Sequence, residues 1–314
     1  MASLSIDEQF RLFGEIVDPQ DEREARALAM TYLKLKFADA YAAVEHDDWL
    51  RIDRIGMRLL GAKSLAPVTW LYLRMALTGA GDASVKYVMI DEVQDYTAAQ
   101  IAVLGRYYKR AHFMLLGDKN QAIDEGGATF EEIDEVMERL HGRVSRCHLM
   151  TSYRSSPEIT ELFASLLPAD ERMRISSVQR EQVPTRVLAY DDEGEYARDL
   201  CAEVADARAQ VDERGGTCAV IVPWKSEAKR IAALLGESAP ELVGDASALP
   251  DAGVVMIPLK LAKGLEFDRV IIPDASARLF PENELSRNRL YTTISRATRQ
   301  VTVMSRGPMS GLLA

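Results

Sequence analysis

Two carboxylates stand side by side at Asp91-Glu92, directly after the apolar run Tyr87-Val88-Met89-Ile90. Such a run reads as a buried strand that delivers both groups to the carboxyl edge of a sheet, where ligands of α/β folds sit. In nucleotide hydrolysis the first carboxylate can hold a hydrated Mg²⁺, and the second can orient and deprotonate the attacking water. The same residues also suit an acidic turn capping a helix. Phe113–Gln121 repeats the layout: an apolar run, then Gly117-Asp118, then Gln121. A glutamine amide there can sense a γ-phosphate, although a plain strand exit reads the same way. In Thr151–Glu158, Ser156 suits a helix N-cap and Pro157 the first helical position. Arg154 just ahead of that helix offers a planar fork for phosphate oxygens, or else is a surface arginine beside a packed tyrosine.

Two further segments carry charge at suggestive spacing. One is Leu261-Ala262-Lys263-Gly264-Leu265-Glu266-Phe267-Asp268. The other runs from Asn288 to Thr298, where Leu290, Ile294 and Ala297 are read as one helical face. That reading leaves Arg296 exposed on another face, as a solvated charge or an arginine finger.

The elements that must position these groups change character along the chain. Residues 1–80 read as helices: Ala25, Leu28, Ala29, Tyr32 and Leu33 follow helical spacing, with a break at Asp18-Pro19. A second helix carries Val68, Leu71, Tyr72 and Met75, with Pro67 in its first turn and Gly79 at its end. After Gly81, short apolar runs alternate with helical patterns. The predicted strands are Tyr87–Ile90, His112–Leu116, Arg186–Tyr190, Thr217–Val222, Gly253–Ile257, Arg269–Ile272 and Val301–Met304. A capped helix between Ser226 and Gly236 carries Ile231, Leu234 and Leu235. The alternation indicates an α/β domain with a mostly parallel sheet.

Composition bounds the function classes. The 314 residues have room for two domains, and 47% are hydrophobic, so a sizeable core can be buried. The net charge of −10 gives nucleic-acid binding no support from bulk charge and leaves room only for a local basic groove. Cys147, Cys201 and Cys218 show no zinc or disulfide spacing and read as buried, reduced thiols. No apolar run is long enough for a membrane span, and Met1–Phe10 lacks the pattern of a signal peptide. A cytoplasmic location is expected.

Taken in order, the five segments resemble motifs II, III, IV, V and VI of UvrD/Rep-type superfamily 1 helicases, over about two thirds of the chain. The resemblance implies two RecA-like lobes with ATP and Mg²⁺ between them. With the change of texture at Gly81 and the alternation after Arg146, the expected division is a helical subdomain over residues 1–80, a partial first lobe over 81–145 and a complete second lobe over 146–314. Asp91 would hold Mg²⁺ through water, and Glu92 would activate the attacking water. Gln121 would contact the γ-phosphate and couple the lobes. Tyr153 would stack on adenine, and Arg154 and Arg296 would reach the γ-phosphate. Gly264 and Glu266 would sit beside the nucleotide, with Glu266 near the ribose.

The sequence departs from that family in three ways. No G-x-x-x-x-G-K-[ST] phosphate loop occurs. Gly56–Ser64 mimics one, but it has a residue too many and lies in a helical pattern with no strand before it. The expectation is therefore the C-terminal part of a longer motor, inactive alone. Second, Asp124-Glu125 replace an aromatic pair that stacks on single-stranded bases in UvrD-like helicases, and Ile257 and Leu259 replace a threonine and a histidine that touch the DNA backbone. Third, only 109 positions separate Arg154 from Lys263 (263 − 154), too few for a large inserted domain. These departures resemble the HelD-like branch, which acts on bacterial RNA polymerase. Single-stranded or duplex DNA and RNA polymerase are the expected partners, with no membrane.

Overall fold

Capping residues and helical spacing organise the N-terminal part of the computed structural model, which describes residues 5–14, 18, 20–149, 151–152, 154–172, 176–177, 183–244 and 250–313. Helix α1 (Ile6–Phe13) opens on a capping box between Ser5 and Glu8 and closes on Gly14 in the left-handed region. It is followed by α2 (Glu22–Lys36), α3 (Ala38–Glu45), α4 (Ile52–Leu60) and α5 (Pro67–Thr78). Pro67 opens α5 and Gly79 closes it, as read from the sequence. The predicted stripe does lie on α2, half-buried at Ala25, Leu28, Ala29 and Tyr32, but α2 has no fully buried residue and Leu33 is exposed. An amphipathic pattern sets a face, while burial needs a partner packed on it. The decoy glycine, Gly56, sits inside α4 against Leu65 and Leu73, where an added Cβ would come within 2.7 Å of both side chains. These helices belong to a compact unit of residues 1–84 with 106–109.

The remaining residues form a second compact unit. Strands β1 (Tyr87–Ile90) and β2 (His112–Leu115) pair in parallel as a sheet of their own. With α6 (Ala98–Tyr107) and α7 (Phe130–His141), they enclose a core of Ile90, Val93, Ile101, Ile133 and Met137. Two short strands, β3 (Thr151–Ser152) and β4 (Ser176–Ser177), also pair in parallel, with α8 (Pro157–Ser165) and α9 (Ala169–Arg172) between them in sequence.

The main sheet has six strands in the order β5-β10-β9-β6-β8-β7, all pairs parallel. Its strands are β5 (Arg186–Tyr190), β6 (Thr217–Val222), β7 (Glu241–Leu242), β8 (Gly253–Pro258), β9 (Phe267–Ile272) and β10 (Ala297–Arg306). The interleaved helices are α10 (Glu193–Arg214), α11 (Lys225–Leu235), α12 (Leu259–Ala262) and α13 (Glu284–Ile294). Side chains alternate across the sheet with a period of two. Ala219, Ile221, Val255, Ile257, Val270 and Val301 face α8, α12 and α13, while Cys218, Val220, Met256, Ile271 and Met304 face α10 and α11. Arg269 pairs with Glu203 and Asp206 of α10, and the Thr302 hydroxyl donates to Glu203, which ties that helix to β9 and β10. The result is an α/β fold with parallel sheets, consistent with RecA-like lobes, preceded by a helical segment.

Three sequence expectations change. Ala297 is the first residue of β10, not part of a helical face, because α13 stops at Ile294. Ser226 lies inside α11, whose N-cap is Trp224 without a side-chain capping bond. Of the three thiols only Cys218 is buried, Cys201 is half-buried and Cys147 is exposed. Among the described residues, no helix is long and apolar enough to cross a membrane.

Candidate nucleotide site at the seam of two sheets

At the end of β1, the chain turns sharply and Glu92 adopts φ 52°, ψ 44°. A left-handed conformation at a non-glycine residue costs energy and marks a place where surrounding structure dictates the backbone. The contacts that hold it are visible. Val93 N donates to Leu116 O at 2.9 Å, joining the exits of β1 and β2, and Glu92 N donates to Asp91 Oδ1 at 2.9 Å. Gln94, only 3% exposed, donates from Nε2 to Glu92 Oε2 at 2.5 Å and accepts from Asp118 N at 3.1 Å. Gly117 and Gly127 close over Gln94 so tightly that a Cβ on either would collide with one of its oxygens. One buried amide therefore fixes the Glu92 carboxylate relative to the loop after β2.

In that loop, Asp118 accepts from Asn120 N at 2.9 Å and from Gln121 Nε2 at 3.1 Å. Burial raises the pKa of Tyr291, and the neighbouring Asp118 acts in the same direction. With its amide nitrogen held by Asp118, Gln121 turns Oε1 toward Arg296, whose Nη2 donates to it at 2.9 Å.

Arg296 is 3% exposed, contrary to the exposed position read from helical spacing. It lies just past the end of α13, where the chain turns into β10, so its direction is set by the turn. Its guanidinium also donates to Thr292 O, Leu265 O and Ser295 Oγ. Burial lowers its pKa, and Arg154 pushes the same way. Glu92, Glu266 and Asp118 oppose them. An arginine held this way stays charged, with its fork aimed along a fixed line.

Lys263, in the loop after α12, is the second bridge across the seam. Its ammonium reaches Asp95 Oδ1 at 2.5 Å, Gln121 O at 2.9 Å and Glu92 Oε2 at 3.7 Å. Asn288 donates to the carbonyls of Lys119 and Ala122, and Arg289 donates to Ile123 O. Lys260 pairs with Asp124 at 2.6 Å.

The structure thus gathers Glu92, Gln121 and Arg296 at one place, with Asp91 adjoining at the end of β1. Arg154 is in the neighbourhood, because Ser155 Oγ donates to Ala297 O and Ser156 N to Thr298 O, laying its segment along the start of β10. Its side chain is 66% exposed and pairs with Glu266 at 2.9 Å. Gly264 has φ 79°, which lets the loop turn between Lys263 and Glu266. Tyr153 lies outside the described residues. Ile257 and Leu259 are buried in the core, so neither position presents a side chain to a ligand. Lys260 is the exposed residue of that segment. Sequence reading assigned no role to Gln94, Asp118, Lys263 or Asn288. Their signal was their presence inside the quoted motifs, but their partners lie in other segments.

Among the described residues, no group of three or more acidic, histidine or cysteine side chains could ligate a metal directly. A single exposed carboxylate, Asp91, with one oxygen on the Glu92 amide, suits a metal held through water.

Comparison with known proteins bears on this arrangement. Residues 25–134 match the family model of the UvrD/REP helicase N-terminal domain, and residues 253–304 match that of the UvrD-like helicase C-terminal domain. Among curated proteins no match is found. One similar solved structure is the C-terminal domain of a possible DNA helicase from Lactobacillus plantarum WCFS1. It is 26% identical, with a TM-score of 0.41, over 52% of this chain and 92% of that one. Another is that of PRRSV helicase, 15% identical with a TM-score of 0.40; the match covers 72% of this chain and 36% of the other's length.

Proposed function

From the premise of a UvrD/Rep-like superfamily 1 helicase, which the two domain matches support, we propose that this chain carries the γ-phosphate-facing half of an ATP-driven motor on nucleic acid. The observation that carries the reading is the chain of contacts Glu92–Gln94–Asp118–Gln121–Arg296, which runs from one sheet to the other without a gap. Bound Mg-ATP would supply the phosphoryl group and the metal charge that offsets developing negative charge. Asp91 would hold the metal through water. Glu92, with Oε2 anchored on Gln94, has Oε1 to accept a proton from the attacking water. Arg296 would exchange the Gln121 amide oxygen for a phosphate oxygen, so that occupancy on one side is felt on the other. Arg296, already desolvated and aimed, would stabilise the transition-state charge at little reorganisation cost.

No phosphate-cradling loop lies in these 314 residues. Backbone amides and a lysine of such a loop supply much of the phosphate binding. The chain by itself is therefore expected to show no useful turnover. Steady-state ATPase of the full-length gene product, with and without Glu92→Gln, tests the reading. Turnover that survives Glu92→Gln would end it. Robust Mg²⁺-dependent turnover by the 314 residues alone would overturn the expected inactivity.

A second reading, a HelD-like factor that acts on RNA polymerase with little unwinding, is favoured by Asp124. It stands where a base-stacking aromatic is expected and is engaged with Lys260. Co-purification with RNA polymerase, together with ATPase indifferent to single-stranded DNA, would select it.

A further inference from the structure

The loop after β2 is gripped by its main chain. Lys119 O and Ala122 O each accept from Asn288 Nδ2, at 3.4 and 3.2 Å. Gln121 O accepts from Lys263 Nζ at 2.9 Å, and Ile123 O from Arg289 Nε at 3.1 Å. All three donors come from α13 or the loop after α12, on the side of the six-stranded sheet. A carbonyl is present whatever side chain a residue carries, so this grip does not depend on the identities of residues 119–123. Lys263 and Arg289 are cations with a second tie each, to Asp95 and to the ring of Trp224. Asn288 is neutral, and its two acceptors stand on either side of Gln121 in the chain.

Carbonyl oxygens only accept, so the amide nitrogen is the atom of Asn288 that can face both, and both of its hydrogens are used. The turn it spans needs an outside tie. Lys119–Gln121 is a single 3₁₀ turn whose closing bond, from Ala122 N to Lys119 O, is 3.4 Å long. A bond of that length is weak. Asn288 is 6% exposed, and the helix beyond it is buried from Leu290 to Ile294, so its position is fixed. Residues four apart stack on one helical face, which puts Thr292 next to Asn288 along α13. Arg296 Nε donates to Thr292 O at 3.1 Å, and Arg296 Nη2 donates to Gln121 Oε1 at 2.9 Å. One rigid helix thus holds the backbone of the Gln121 turn at one point and anchors the partner of its side chain at another.

Resting on the motor reading, we propose that Asn288 is a positioning residue for hydrolysis: it clamps the turn that carries Gln121 in register with Arg296. The two partners then separate and rejoin over the same short path in each cycle, with the loop backbone held still. Asn288 touches neither nucleotide nor reacting atoms and acts through Gln121. Without the clamp, the turn drifts on its weak closing bond, and the amide of Gln121 no longer meets the guanidinium at a fixed distance. A small misplacement of this kind is costly for chemistry and cheap for binding, because only the reacting geometry is demanding to a fraction of an ångström. Lys263 cannot take over the task, since it holds the one carbonyl of Gln121 itself and leaves both flanks of the turn free.

The test is steady-state ATPase of the full-length gene product. Asn288→Ala should lower kcat by about tenfold or more and leave KM for ATP within about twofold. Asn288→Asp keeps the shape but has no N–H and sets an acceptor against two carbonyls, so its kcat should fall at least as far. Asn288→Ser, which keeps one donor, should show the same split in smaller degree, and it serves in place of alanine if thermal melting shows that the alanine chain does not fold. The decisive measurement is a double-mutant cycle. If Asn288 acts through Gln121, kcat of the Gln121→Ala, Asn288→Ala double variant should equal that of Gln121→Ala alone. In the 314-residue chain, Asn288→Ala should speed amide exchange at residues 119–123. Wild-type kcat in Asn288→Ala, a change confined to KM, losses that multiply in the double variant, or unchanged exchange at 119–123 would each overturn the proposal. The exchange measurement needs no turnover, so failure of the clamp is separable from failure of the motor reading, which is decided by Glu92→Gln.

Discussion

Replacing Gln94 with leucine removes the joint between the two strand exits, and its cost can be worked from the contacts. The amide nitrogen donates to Glu92 Oε2 at 2.5 Å. A hydrogen bond to a charged acceptor is worth about 1.5–3 kcal/mol. The Glu92 side chain is 36% exposed, so water recovers part of this and about 1 kcal/mol is lost. Asp118 N, which donates to Gln94 Oε1 at 3.1 Å, loses its acceptor, at about 1–3 kcal/mol for an unsatisfied donor. Leucine must also fit beneath Gly117, which lies so close to the Gln94 side chain that a Cβ added on Gly117 would come within 2.4 Å of Gln94 Oε1. Gln94→Leu is expected to destabilise the chain by about 2–4 kcal/mol in urea unfolding followed by circular dichroism. Gln94→Glu keeps the shape but sets a second carboxylate against Glu92. The like charge raises the carboxyl pKa in the folded state above its unfolded value of about 4.3. A group that binds its proton more tightly when folded loses stability as pH rises, so the Gln94→Glu deficit should be full at neutral pH and close as pH falls below about 4. A Gln94→Leu variant within about 0.5 kcal/mol of wild type, or a Gln94→Glu deficit that persists unchanged in acid, would refute this account of Gln94.

Other outcomes follow from the same geometry. Gly127→Ala places a Cβ against the Gln94 carbonyl, and overpacking of this kind should lower stability by about 1–3 kcal/mol, read from the same urea curve. In the full-length product, Arg154→Ala and Arg296→Ala should each lower kcat by about 10³-fold or more, with poor rescue by lysine. Thermal melting should separate them: Arg296 is buried and bonded to four acceptors, so its loss also destabilises, whereas exposed Arg154 is lost without a change in melting. Lys263→Ala should speed amide exchange in residues 117–127 and 259–266, because it breaks the bonds to Asp95 and to Gln121 O at once. Unchanged exchange in both segments would show that the lysine does not hold the seam together.

The sequence by itself determined what local periodicity and local chemistry dictate. Strand positions in the main sheet follow from apolar runs bounded by turn residues. The two-residue edge strand β7 has no such run and was not legible, and the ends of others shifted, as where β9 begins at Phe267 and β10 at Ala297. The ends of α5 and the start of α8 were legible because Pro67, Gly79, Ser156 and Pro157 act within a turn of themselves. Motif order was legible because each motif is a short continuous string. Burial and partnership were decided only by tertiary structure. Arg296 meets Gln121 across 175 positions and Lys263 meets Asp95 across 168, distances over which no local pattern operates. Helical spacing put Arg296 in solvent, but the helix ends two residues earlier and the turn points the guanidinium inward. The α2 stripe is half-buried at Ala25, Leu28, Ala29 and Tyr32 and exposed at Leu33, since a pattern defines a face and only a neighbouring element covers it. The identity of the exposed residue beside Leu259 likewise needed the fold: the end of β8 and the turn of α12 bury Ile257 and Leu259 and leave Lys260 facing out.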